Sequence, residues 1–240
     1  MHISRQTGIL LNTLLNDWLP PVARDSYWLN WLITRILYGK KNRVYLEFHQ
    51  NAFALTPEEF AEVYRSVQDV TIDRETDLNA ACLAAILAET QGERVLEVGC
   101  GRGFLAAQLA ERFAVTAVDH AIDPALSQRL PQVQFRECPA ESLPFPDKTF
   151  DTVISTHMLE HVRNLPAVIA ELRRVCRQRL IVVLPCERPQ IHTHTLHLHF
   201  FPYAYSLYAT FGYLGTRQSV QKCDGDWFYV ENMPVPESLS

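Results

Sequence analysis

Two acids and a run of glycines are the residues of this chain best suited to hold a small ligand. Arg94 to Phe104 reads RVLEVGCGRGF. Arg94 to Val98 is a short apolar run, β-branched at Val95 and Val98, and it reads as a buried strand. Glu97 interrupts it one residue before its end, and Gly99, Gly101 and Gly103 then alternate before a helical pattern. Such glycines let the backbone take positive φ and let a ligand approach bare main chain. The helix that follows points its first amide hydrogens into the same space. Strand, glycine turn and helix make the opening half of a nucleotide-binding βαβ unit. A phosphate loop would need a Lys-Ser or Lys-Thr pair, and none follows. A dinucleotide fingerprint would need glycine at position 104, which is Phe104. What remains is E-x-G-x-G-x-G, with a tight strand-to-helix turn that binds nothing as the plain alternative. Asp119 closes a second apolar run, Val115 to Val118, about twenty residues past the glycines. At that interval a carboxylate can take both ribose hydroxyls of an adenosyl ligand.

The glycine stretch resembles motif I of the class I S-adenosylmethionine-dependent methyltransferases. That cofactor has no phosphate but carries a cationic amino group, so an acid at the strand end suits it better than a lysine. Residues 140 to 162 read A-E-x-L-P-F-P-D-x-x-F-D-x-V-x-S-x-x-x-L-E-H-V. This run is similar to the middle of a methyltransferase type 11 domain, and it lies in the expected order after motif I. The likeness spans about residues 75 to 185, with a looser match onward, and leaves residues 1 to 70 uncovered. It implies S-adenosylmethionine as cofactor, with Glu97 orienting the methionine amine and Asp119 holding the ribose. Gly99 and Gly101 would pack on the ligand, with Cys100 between them and His120 beside Asp119. In this family the loop after the third strand covers the adenine and the fourth strand ends beside the methyl donor, which adds Ala140 and Thr156. One departure stands out: the family often has Gly-Asp before Ala140, where this chain has Cys138 and Pro139. Proline also removes an amide donor. The adenine is then expected on the Ala140 amide and apolar contacts, with Glu141 as a substitute acid.

Methyl transfer from an activated sulfonium rests on positioning and water exclusion, and a general base is optional. The candidates for a base are His157, His161 and His199. For His161 the other reading is a histidine that caps or orients the neighbouring loop. His157, Glu160 and His161 also spell H-x-x-E-H, a zinc-peptidase signature on an isolated helix. Here it directly follows a strand of the sheet, which argues against that reading. Some ubiquinone-biosynthesis and small-RNA methyltransferases carry E-x-x-E-H at this place and bind a divalent ion. Two histidines and a glutamate would suit zinc, nickel or iron better than magnesium. No metal ligand is assigned. The later histidines His192, His194, His197 and His199 read as loop-ordering or substrate-facing.

The elements that must position these residues follow in order. Asp77 to Thr90 reads as a helix before the first strand, stopped at Gly92. Leu105, Leu109 and Phe113 mark the helix after the glycines, and Gln132 to Glu137 a short third strand. Thr152 to Ser155 is the fourth strand, and Asn164 caps a helix with Leu165, Val168, Ile169, Leu172 and Cys176 inward. Arg173, Arg174 and Arg177 complement that helix's C-terminal dipole, and Arg179 to Pro185 is the fifth strand. A further helix ends near Phe211. Asp224-Gly225 then turns between strands at about 217 to 221 and 227 to 231. The fold class is α/β: a Rossmann-like, doubly wound, mostly parallel sheet with an antiparallel terminal strand, plus an N-terminal helical appendage. The expected division is an appendage or lid at 1–74 and a methyltransferase domain at 75–240.

In the appendage, Ile9 to Leu19 reads as a short helix stopped by Pro20 and Pro21, and Asp25 to Tyr38 as a longer one. Leu29, Leu32, Ile33 and Ile36 fall on one face, Trp28 and Trp31 widen it, and Ser26, Asn30 and Thr34 leave a narrow polar stripe. Such a helix wants burial: against the catalytic domain, against a second copy, or at a membrane surface. Thr56-Pro-Glu-Glu59 is a capping box that starts another helix, to about Val67.

The 240 residues fit one large domain or one domain with an appendage. The apolar content of 48% is that of an ordinary globular chain. A net charge of −5 and no basic block argue against extended nucleic acid as a partner. GILLNTLLNDWL near the start is interrupted by Asn12, Asn16 and Asp17 and makes a poor signal peptide. Six scattered cysteines without C-x-x-C read as reduced thiols of a cytoplasmic protein. The sequence therefore points to a methyltransferase acting on a small-molecule, sugar or lipid-linked acceptor by O- or N-methylation, as a monomer or homodimer. Peripheral membrane contact through the N-terminal helices stays open. The rivals are a non-catalytic module that binds the same cofactor and a metal-dependent hydrolase.

Overall fold

The computed structural model describes residues 18–67, 76–192 and 195–234. The helix expected at Ile9 to Leu19 lies almost wholly outside them, as do His194 and the boundary expected at residues 74 and 75. The chain divides into two units.

The larger unit runs from Glu75 to Cys186 and resumes at Phe201. Its sheet has the order β3-β2-β1-β4-β5-β7-β6. The strands are β1 (Arg94–Val98), β2 (Ala114–Asp119), β3 (Gln134–Glu137), β4 (Phe150–Thr156), β5 (Cys176–Pro185), β6 (Gln218–Cys223) and β7 (Asp226–Asn232). Strands β1 to β5 pair in parallel, and β7 pairs antiparallel with both β5 and β6. The chain steps from β1 out through β2 to β3, then crosses back to place β4 on the other side of β1. That reversal is the topological switch point at which open α/β sheets bind ligands, beyond the carboxyl ends of their strands.

Both faces of the sheet are covered, which is why its central strands are nearly continuous apolar runs. Leu96, Val153, Leu180 and Val182 face one buried cluster, and Val95, Ile154, Ile181 and Val183 the other. Helix α8 (Leu165–Val175) supplies Leu165, Val168, Ile169 and Leu172 to the first cluster, and Asn164 caps it by accepting from the Ala167 amide. Helix α5 (Ala80–Glu89) gives Cys82 and Ile86 to the second. Its start lies at Ala80, later than expected, because Asn79 accepts from the Cys82 amide and fixes the first turn there. Two short helices, α6 (Phe104–Leu109) and α7 (Ala125–Arg129), follow β1 and β2, and α9 (Ala204–Phe211) precedes the final strands.

Two further boundaries change where a singled-out residue sits. Helix α6 ends at Leu109, so Phe113 lies beyond it. Strand β5 begins at Cys176, so Arg177 is a strand residue and not a helix-dipole partner. It pairs instead with Asp151, whose other oxygen accepts from the Glu93 and Arg94 amides at 2.8 and 2.9 Å. Asp151, part of the run that carries the resemblance, thus anchors the start of β1.

The second unit comprises the N-terminal helices together with Glu187–Phe200. The described helices are α1 (Pro21–Arg24), α2 (Tyr27–Tyr38), α3 (Asn42–Asn51) and α4 (Pro57–Val67). The capping box of α4 closes in both directions: Thr56 N donates to Glu59 at 2.8 Å and Glu59 N to Thr56 at 3.2 Å. Tyr45, Phe48, Ala52, Val67, Leu196 and Leu198 form the core of this unit. Helix α3 has no counterpart in the sequence reading; its NRVYLEFHQN carries no cap signal and is rich in residues of weak helix propensity. It forms because tertiary packing buries Tyr45, Leu46 and Phe48, with Tyr45 and Phe48 in the core of this unit.

Helix α2 corrects the sequence reading. Its buried residues are Asn30 and Thr34, the stripe expected outside, while Trp28, Trp31, Leu32 and Ile36 are exposed. The polar pair can turn inward because local backbone satisfies its donors. Asn30 Nδ2 donates to the carbonyls of Arg24 and Ser26, and Thr34 Oγ1 to that of Asn30. No helix among the described residues is long and apolar enough to cross a membrane.

Candidate functional site

The carboxyl ends of β1, β2 and β4 assemble the site. Gly99, Gly101 and Gly103 take φ of 85°, 48° and 76°, all in the region that favours glycine. The Gly99 and Cys100 amides both donate to the Val118 carbonyl, so the turn is stitched to the end of β2. A Cβ on Gly99 would meet Met158 at 2.6 Å, which forbids any side chain there. Around Gly101 nothing lies within 4 Å of a Cβ position, so bare main chain faces open space. Cys100 itself is buried, and burial pushes its thiol up, out of reach of ionisation.

Asp119 ties the turn to β2 a second time. It accepts from the Gly101 amide at 2.8 Å, the His120 amide at 2.7 Å and His120 Nδ1 at 2.7 Å. Burial works against its charge, but the His120 ring and the two amides outweigh burial and hold the carboxyl below its usual range. The same pairing raises His120. Asp119 is therefore a fixed anion, and a carboxylate has lone pairs for more than these three donors.

Glu97 is the opposite case. It is 2% exposed, and its Oε2 has no hydrogen-bond partner among the described residues. Burial, and then the neighbouring Asp119 charge, push its carboxyl well above the ordinary range, with the Ala106 amide working the other way. A buried, under-satisfied acid at a switch point is costly unless something pairs with it. An ammonium group is the chemistry that Glu97 lacks. The amine-bearing, ribose-bearing cofactor implied by the sequence fits these two acids and the bare turn between them.

The remaining expected positions fall as follows. Thr156 ends β4, half-buried and paired with Val183 of β5. Ala140 packs half-buried on the core in the turn after β3, and Glu141 beside it is exposed. Cys138 uses its amide on the Asp119 carbonyl, so the loop entering Ala140 is pinned to the end of β2.

His157 follows β4 at φ 50°, an uncommon conformation for a residue with a side chain. Its ring lies between two acids, Nδ1 at 3.6 Å from Glu160 and Nε2 at 3.4 Å from Asp226. Burial opposes its charge, but the two carboxylates prevail and raise the imidazole to about 9. The two acids thus favour the charged ring, which suits an anchor for the turn after β4. Sequence reasoning missed Asp226, which sits at the start of β7, 69 residues further on by numbering; no local spacing signals that pairing. His161 ends a single 3-10 turn, Leu159–His161, and its amide donates to Met158. Residues 157–161 thus lack the continuous helix that a zinc-peptidase signature needs.

His199 lies in the other unit, as do His192 and His197. There His192 Nδ1 is 3.4 Å from the Leu46 carbonyl, and His197 Nδ1 is 2.7 Å from Glu187. Both order the segment within that unit.

Comparison with known proteins agrees with this fold. The family model described as a methyltransferase domain matches residues 96–184. A phosphatidylethanolamine N-methyltransferase of Cereibacter sphaeroides is 35% identical over 102 residues, 39% of this chain and 50% of that protein. A ubiquinone biosynthesis O-methyltransferase of Paracidovorax citrulli is 39% identical over 100 residues, 38% of this chain and 42% of that one. The chain thus spans half the length or less of these curated relatives. Among solved structures, a Burkholderia thailandensis 1,6-didemethyltoxoflavin-N1-methyltransferase with bound S-adenosylhomocysteine shares the fold. Its TM-score is 0.56 at 21% identity, over 78% of this chain and 90% of that one. Motif, sheet order and matched region agree: over residues 96–184 the chain is similar to methyltransferase domains.

Proposed function

We propose that this protein transfers a methyl group from S-adenosylmethionine to the oxygen or nitrogen of a small-molecule, sugar or lipid-linked acceptor. The observation that carries the reading is the unpartnered, buried Glu97 oxygen at the switch point, beside a fixed Asp119 anion and a turn of bare main chain. Glu97 would pair with the amino group, Asp119 would accept from the ribose hydroxyls, and Gly99 and Gly101 would let the ligand approach the backbone. Ala140 would lie against the adenine and Thr156 beside the methyl donor.

Once bound, the sulfonium supplies an already activated methyl carbon. The chain's contribution is then to position the acceptor in line and to exclude water. His157 stays protonated between Glu160 and Asp226, where it holds the turn after β4 in its left-handed conformation. An amine, a phenol or a carboxylate needs no strong base, which suits a site whose β4 histidine is already charged. Relatives named for phosphatidylethanolamine and for ubiquinone biosynthesis favour an acceptor with an apolar portion. Six free cysteines fit a reducing compartment, and we place the protein in the cytoplasm.

Calorimetric titration with S-adenosylhomocysteine, and assay of its formation from S-adenosylmethionine with acceptor pools, test the reading. Binding lost in Asp119→Ala and product formed with apolar acceptors are the expected results. No binding by the unmodified protein would overturn the proposal, and binding without turnover by any pool would leave a non-catalytic module in its place.

A further inference from the structure

Helix α2 turns its apolar side outward. Trp28 is 76% exposed, Ile36 56% and Leu32 50%, and with Trp31 and Arg35 they share one helical face. This arrangement is set by the fold, because Asn30 and Thr34 bury the opposite side and bond to local backbone. An apolar stripe of this size is left uncovered in a water-soluble domain only when something else covers it.

Charge selects what that is. Residues 26 to 46 contain Arg35, Lys40, Lys41 and Arg43 and no Asp or Glu, in a chain of net charge −5. Arg43 leans on Glu47 and Lys41 donates to the Ser66 carbonyl, while Arg35 and Lys40 point to solvent. A second copy docked on this face about a two-fold axis would bring a second set of these cations to one interface, and residues 26 to 46 supply no acid to pair with them. Two tryptophans beside aliphatic side chains and basic residues are instead the composition of a helix lying in a membrane interface.

We propose that the outward face of α2 docks this protein on an anionic lipid bilayer. Trp28, Trp31, Leu32 and Ile36 enter the headgroup layer, and Arg35 and Lys40 meet lipid phosphates, the stem of Arg35 lying along the apolar stripe. The inference stands apart from the methyl-transfer reading, since docking needs neither cofactor nor acceptor.

The test is co-sedimentation of the full chain with vesicles of phosphatidylcholine alone or with phosphatidylglycerol added, at low and raised salt. The expected result is binding to the anionic vesicles only, weakened by salt. It should fall more than about tenfold in the pair Trp28→Glu and Ile36→Glu. Arg35→Gln and Lys40→Gln should each weaken it by roughly fivefold. These charge variants leave the apolar face and fold intact and keep the test decisive if the glutamate pair misfolds. Equal binding to neutral vesicles, no binding at all, or a dimer in solution that Trp28→Glu dissociates would each overturn the proposal. Titration with S-adenosylhomocysteine in parallel separates its failure from that of the cofactor site.

Discussion

Glu97 and Asp119 close neighbouring strands, face the same space and have the same charge when ionised, yet the fold treats them oppositely. Asp119 takes three donors from the turn and from His120, and stays ionised. Glu97 is sealed among apolar side chains with one oxygen unpartnered, and burial drives it toward its neutral form. The first acid is part of the scaffold as well as the site. The second has only the Ala106 amide set against its burial, leaves one oxygen unpartnered, and is intelligible as the partner of a cation.

Removing each acid should break this symmetry in different ways. The largest effect is expected for Asp119→Ala, which removes the acid proposed to hold the ribose and frees the Gly101 amide. Cofactor affinity should fall by roughly a hundredfold, about 3 kcal/mol, read by calorimetry. Glu97→Gln comes next, with affinity lower by about tenfold. Because the glutamine is neutral in the same buried place, melting temperature at pH 8 should hold steady or rise, whereas a structural acid would lower it.

pH sharpens the contrast. Glu97 is raised in the free protein, and pairing with an ammonium should bring it down, so binding should expel a proton. Affinity for S-adenosylhomocysteine should therefore rise with pH through the free-state value of Glu97, and the rise should vanish in Glu97→Gln. Calorimetry in two buffers of different ionisation enthalpy counts the proton. For folding stability the signs oppose. The raised Glu97 makes the fold less stable as pH rises above the unfolded value, up to its folded value. The lowered Asp119 adds stability that is present above its unfolded value and lost as pH falls through its folded one. The smallest effect is expected for His120→Ala. Its ring is largely exposed, so affinity should drop only a few-fold, about 0.5–1 kcal/mol, with Asp119 still held by two amides.

How much of this was legible in the sequence depends on the range of the interactions involved. The strand ends at Glu97 and Asp119, the glycine turn, the Asn164 cap and the Thr56–Glu59 capping box are short-range patterns, and the structure has each where the sequence puts it. The partners of His157 were not legible, because Asp226 reaches it only through the antiparallel pairing of β7 with β5. Helix α3 was missed because its burial, not its propensity, makes it helical.

The sequence by itself determined the α/β order, the cofactor turn and the two acids, since backbone conformation, hydrophobic period and caps are written in neighbouring residues. Only tertiary structure decided which acid is satisfied, which histidine is charged and which way α2 faces. Periodicity gives a helix two sides but does not say which is inside. In α2 that choice fell to Asn30 and Thr34, whose donors found carbonyls close at hand, and the apolar side was left to face outward.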